Sequence, residues 1–154
     1  MRREDYRKTL ELSPRGFFTA ITALDTLERE KKGDLPTGTY LAYLSLEWAQ
    51  DPVQKIKAVR QLVEHLPQFA PAWKELAALT NDDKERIAAL DRGLAADPDA
   101  ETKGTLLVNK ALVLNLRGEH EGAVRLLGEL ALDPNSTLGT EYLAKASLAM
   151  LVKK

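Results

Sequence analysis

Apolar residues recur three and four positions apart along nearly the whole chain, and branched or aromatic residues never alternate with polar ones for more than a few positions. That spacing is the signature of amphipathic helices rather than of strands. Four short cassettes repeat within it: Ala20-Ile21-x-x-Leu24, Lys55-Ile56-x-x-Val59, Arg86-Ile87-x-x-Leu90 and Ala123-Val124-x-x-Leu127. The aligned branched residues Ile21, Ile56, Ile87 and Val124 lie 35, 31 and 37 positions apart, within the range that marks a repeat array. Ser13-Pro14 and Asp51-Pro52 each put a capping side chain before a proline suited to a first helical turn. Asp82 and Glu85 have the spacing of a capping box. Gly33, Gly104 and Gly118 are expected to stop or start neighbouring helices. The pattern predicts helices at approximately 2–12, 15–32, 37–49, 52–65, 70–81, 83–96, 103–117, 119–132 and 137–152. Short connections make these one all-α domain over 1–154, with hairpins at 2–32, 37–65, 70–96 and 103–132 and a closing helix at 137–152.

The best-formed unit carries Trp73, Leu76, Ala77 and Thr80 on its first helix, then Ile87, Leu90, Gly93 and Asp97-Pro98 on its second. A second carries Leu107, Ala111 and Leu114, then Ala123, Val124, Leu127 and Asp133-Pro134. Weaker copies run through Leu41, Leu44, Ser45 and Trp48 with Ile56, Val59, Leu62 and Pro67, and through Thr140, Leu143, Ala144 and Ser147. These units resemble the tetratricopeptide repeat, whose first helix has a W-x2-L-G-x2-Y run and whose second has A-x3-F and a closing proline. The resemblance is good from about residue 37 to 148 and rests over 1–34 mainly on Ala20, Ile21 and Leu24. Lys55 and Arg86 depart from it, standing where the family prefers a small residue, and the unit at 70–98 is about three residues short. A second parity is open, in which Tyr6 to Pro14 ends a second helix and the chain belongs to a longer array.

What the resemblance implies is a right-handed α-α superhelix of about four and a half hairpins, with a ligand groove on its concave face. Carried over by position, the groove is lined by Tyr43, Leu46, Lys74, Ala78, Asn109, Leu112, Asn115, Glu141, Tyr142 and Lys145. The carboxylate clamp of this family needs asparagines and basic residues on three successive first helices. Only Asn109 is in place, with Glu75 and Tyr142 at the other positions, so an acidic C-terminal tail is not the expected ligand. The expected function is a non-catalytic protein–protein interaction module holding a protein or peptide partner. The alternatives are a self-assembling structural module and a regulatory or accessory subunit.

Composition narrows the chemistry further. With 22 basic and 23 acidic side chains the formal charge is −1, so no long-range field favours nucleic acid or an anionic membrane. Residues 70–100 hold the one local excess, seven acidic against four basic. Cysteine is absent, which removes disulfides and thiolate chemistry and fits a cytoplasmic setting. The start shows no secretory pattern. Leu148 to Val152, an unbroken aliphatic run, is far shorter than the ~20 residues that cross a bilayer. Asn135-Ser136-Thr137 is expected to be a turn rather than a glycosylation acceptor. Gly33-x4-Gly38-Thr39 lacks the lysine of a phosphate loop, and His65 and His120 are too far apart to pair with each other. No metal, cofactor or enzymatic activity is expected. The closing helix is apolar around most of its circumference, so Leu148, Leu151 and Val152 are expected to dock on a second copy of the chain or on a partner.

Overall fold

The computed structural model describes residues 20–152, and all regular structure among them is α-helical. The helices are α1 (Ala20–Lys32), α2 (Thr39–Trp48), α3 (Pro52–His65), α4 (Ala70–Leu79), α5 (Asp83–Ala95), α6 (Ala100–Leu116), α7 (His120–Leu132) and α8 (Leu138–Val152). The expected helix at 2–12, the Ser13-Pro14 cap and the stretch Tyr6 to Pro14 lie outside the described residues. None of these helices is long and apolar enough to cross a membrane.

Local chemistry explains most boundaries. The Asp51 carboxylate accepts from the Val53 N–H at 3.0 Å, ahead of Pro52 in the first turn of α3. Asp82 accepts from the Lys84 and Glu85 N–H groups at the start of α5. The capping box is only half made, however. Thr80 Oγ1 takes the Asp82 N–H at 3.1 Å, and the Glu85 carboxylate turns away to Thr80 and to Arg60 of α3 at 2.8 Å. α6 begins three residues earlier than expected because Asp99 caps it, accepting from the Thr102 N–H at 3.2 Å. Gly104, expected to punctuate a helix, therefore lies inside one.

Every sequential pair of helices packs together, and alternate helices α4, α6 and α8 also pack α4 on α6 and α6 on α8. Small side chains make these approaches possible. Ala77, Ala111 and Ala144 are almost completely buried, and a Cβ on Gly93 would sit 3.0 Å from both Trp73 and Leu106. At Gly104 a Cβ would overlap the Thr140 side chain of α8 outright. α6 joins two apolar clusters: Leu106 belongs to one built from α2 to α5, while Val108 and Ala111 belong to another shared with Ala123, Leu127 and Ala144.

α4 is the most enclosed element, with all eight residues from Ala70 to Ala77 buried. A helix covered on every side has no solvent face to give its charged residues. Lys74 and Glu75 therefore meet inside the protein at 3.3 Å, and the Lys74 ammonium donates to the Tyr43 hydroxyl of α2 at 2.8 Å. Tyr43 also meets Phe69 edge-on, with ring centroids 5.3 Å apart. Trp73, on the same helix, donates from Nε1 to the Pro67 carbonyl at 2.8 Å and carries the Arg92 guanidinium over its ring.

α1 departs from a simple array, in which each unit touches only its neighbours. It packs on α6 as well as on α2. Its inward side is polar: Thr22 donates to Asp99 at 2.9 Å, Thr26 donates to the Thr22 carbonyl, and Arg29 donates to the Asp97 carbonyl at 2.9 Å. The cassette residues Ile21 and Leu24 are 36% and 65% exposed. These contacts set the threonine side of α1 against the start of α6, and the apolar side turns out.

Two measurements check this packing. Gly104→Ala should cost about 1–3 kcal/mol by overpacking against Thr140, whereas Gly128→Ala, in open space within α7, should gain about 0.5–1 kcal/mol. Equal effects in urea unfolding would contradict the close α6–α8 approach.

Carboxylate titration by NMR checks the two polar junctions. Burial holds Asp25 above its ordinary value against the opposing pull of Arg29, and Asp99 pushes it the same way as burial. The folded state thus takes up that proton first, and the α1 junction should gain stability as pH falls through the raised value. The hydrogen bonds from Arg60 and then Thr80 hold Glu85 below its ordinary value. Its contribution is present above the unfolded value and should be lost as pH falls through the lowered one. Titration of the two in the reverse order would contradict both assignments.

Candidate binding cleft

The ten residues expected along one groove fall into distinct environments. Tyr43, Leu46 and Lys74 are buried, at 2%, 3% and 2% exposure. Low exposure follows from the enclosure of α4 and of the side of α2 that faces it, although Lys74 and Leu46 each still line a cleft wall. Asn115 shares a hydrogen bond with His120 Nδ1 at 2.9 Å, at the turn between α6 and α7. Glu141 and Lys145 form an i,i+4 ion pair at 2.8 Å, and Tyr142 stands out from α8, 55% exposed.

The structure brings Lys74, Ala78, Asn109 and Leu112 together on the wall of a single cleft of about 290 Å³. It opens between α4, the start of α5, α6 and α8, and its remaining wall includes Leu106, Val108, Leu143, Thr105, Ser147 and Arg86. The positions follow from the stacking of α4, α6 and α8, since each presents a side to the same space. Arg86 enters from the first turn of α5, where the Asp82 cap fixes the direction of the helix. Its Nε donates to Asn109 Oδ1 at 2.7 Å.

Sequence reasoning missed Arg86 as a site residue, although it carried a signal. A long cation stood at a position where the resembled repeat prefers a small side chain. Ser147 and Leu143 were assigned only to packing in the terminal unit, yet both also face the cleft. A second, more open groove of about 340 Å³ lies between α2 and α3, along Ala42, Ser45, Leu46, Ala58, Gln61, Leu62 and His65. His65 there is held by the Gln61 carbonyl at 2.7 Å. Among the described residues no three His, Cys, Asp or Glu side chains gather in a way that could hold a metal ion.

The expected self-association residues also divide. Leu148 and Leu151 pack against the second apolar cluster, alongside Leu143. Both are half-buried there, on the side of the helix that carries Ala144. Val152 remains 59% exposed, with Met150 at 64% and Tyr142 as its outward companions.

Comparison with protein-family models, with curated proteins and with solved structures finds no match to this chain.

The buried pair gives the prediction for this region. Lys74→Ala should cost about 3–5 kcal/mol, because it leaves the Glu75 carboxylate buried without its cation. Asn115→Ala, at a partly exposed turn, should change stability by no more than about 0.5 kcal/mol. Near-equal melting temperatures for the two variants would show that Lys74 lies in solvent.

Proposed function

We propose that the chain is a non-catalytic interaction module, built as a right-handed array of tetratricopeptide-like hairpins over α2 to α8 with α1 laid across it. The observation that carries this reading is the stacking of alternate helices, α4 on α6 and α6 on α8, in addition to every sequential contact. Stacked first helices of successive hairpins form a continuous face, and the cleft with Ala78, Asn109 and Leu112 opens on it. A partner segment lying across that face meets apolar wall, a carboxamide and a cation within one short span, which is the mixed lining expected of a recognition site. The formal charge of −1 offers no field for a phosphate backbone, so the partner is a protein segment rather than nucleic acid. The cysteine-free composition suits work in the cytoplasm.

A second reading, homodimerisation, is favoured by one specific feature. α8 leaves Tyr142, Met150 and Val152 exposed at separate points around its surface, with the Glu141–Lys145 ion pair on its first turns. Large apolar side chains left exposed along one helix suit a contact with a second copy of the chain.

Ala78→Arg places a long side chain at the mouth of the cleft from an exposed position, so the melting temperature should stay nearly unchanged. Recovery of protein partners from the native host should fall. Unchanged recovery would remove the cleft as the binding face. Light scattering tests the second reading: a mass of twice 17.1 kDa that returns to monomer in Tyr142→Glu plus Met150→Glu supports it, and a wild-type monomer at tens of micromolar overturns it.

A further inference from the structure

The cleft holds three polar groups, and each has donor capacity unspent among the described residues. Arg86 is half-buried and uses only Nε, on Asn109; no carboxylate among the described residues forms an ion pair with it. A guanidinium has five N–H donors in a rigid fork, so four remain. Because Asn109 Oδ1 accepts from Arg86, its Nδ2 is the free end, and it donates to no acceptor among the described residues. Ser147 is 7% exposed, and its hydroxyl has no hydrogen-bond partner among the described residues, although a helical serine commonly bonds back to the preceding turn. The other cation on the wall is already committed: the Lys74 ammonium is held by Tyr43 and Glu75. The rest of the wall is largely aliphatic, from Ala77, Leu106, Val108, Leu112 and Leu143.

From this we infer that the cleft is a binding site for a small aliphatic carboxylic acid, taken as its carboxylate against Arg86, Asn109 Nδ2 and Ser147 Oγ. One uncompensated guanidinium matches one negative charge, and its fork matches the two oxygens of a carboxylate. A partly buried cation without a counterion is costly, and a bound monoanion removes that cost. A phosphate would bring a second charge for which the wall has no further unspent cation. The volume of about 290 Å³ lies at the lower end of the ~300–1,000 Å³ of ligand pockets, which sets the apolar body at a short, branched chain. The inference goes beyond the interaction reading and does not depend on it, since the acid binds the isolated chain whether or not a protein partner exists.

The test is an NMR titration of the full chain with 4-methylpentanoate, observing the Arg Nε–H and Asn side-chain signals, with 4-methylpentan-1-amine and 4-methylpentan-1-ol as controls. Saturable shifts at Arg86 and Asn109 with the acid alone are expected. The affinity should fall at least about tenfold in Arg86→Gln, the scale of one lost charge-assisted contact. Leu112→Trp, which fills the cleft and leaves Arg86 in place, should abolish binding and guards against an Arg86→Gln chain that does not fold. The proposal is overturned by absence of shifts at about 10 mM acid, well above a millimolar Kd. It is also overturned by equal shifts with the alcohol, or by shifts from a capped Glu-Leu dipeptide where the free acid gives none. The last result would assign the donors to a partner's side chain and leave the interaction reading standing. Acid binding with unchanged partner recovery in Ala78→Arg would leave this inference standing without that reading.

Discussion

A stretch of helix with no solvent face must settle every polar side chain within the protein, and Ala70 to Ala77 of α4 is such a stretch. Lys74 and Glu75 are neighbours in sequence and both are inside, so each answers the other's charge. The Tyr43 hydroxyl of α2 completes the arrangement. This single requirement orients α2 against α4, sets Phe69 edge-on to Tyr43 and closes what would otherwise be the first third of a groove. Breaking a buried pair costs more than the pair contributes, since the remaining charge is left without water or partner. The pair therefore acts less as a source of stability than as a constraint on which packing is acceptable.

The second half of the molecule is organised by small residues. Gly104 lets α6 and α8 come together at Thr140, and Gly93 lets α5 settle between Trp73 and Leu106. α6 is the longest helix among the described residues and shares its side chains between both apolar clusters. With α4 and α8 held against it, the three helices leave a cleft whose walls are fixed by close contacts on either side. Arg86 enters that space because Asp82 caps α5 and aims its first turn. The groove between α2 and α3 lacks any such cation, and His65 within it is spent on its own helix.

Helix positions from about 37 to 152 were legible in the sequence because caps, prolines and apolar spacing act locally. Asp51-Pro52 and Asp82 specify their helices with contacts two or three residues away. What escaped was decided over long distances. Gly104 looked like punctuation, but the reason for its size is Thr140, on another helix. Ile21 and Leu24 formed an apolar stripe, yet the side of α1 that turns inward is chosen by Thr22 bonding to Asp99, 77 residues on. Of the expected groove, Ala78, Asn109 and Leu112 line one cleft, because α4 packs on α6 and register sets Asn109 and Leu112 on one side of α6. Lys74 lines the same cleft, but its burial was not legible, because Tyr43, which holds its ammonium, lies 31 residues away on another helix. Arg86 was visible only as a departure from the repeat, and such a departure is where a functional residue is expected to conflict with packing.

Native-state hydrogen exchange tests the central claim, that α4 is enclosed on all sides and constrains its neighbours. Amides of α4 should exchange only through global unfolding, with the same free energy as the central turns of α6, while those of α1 open at lower cost. Exchange of α4 through local opening, at or below the protection of α1, would contradict the account.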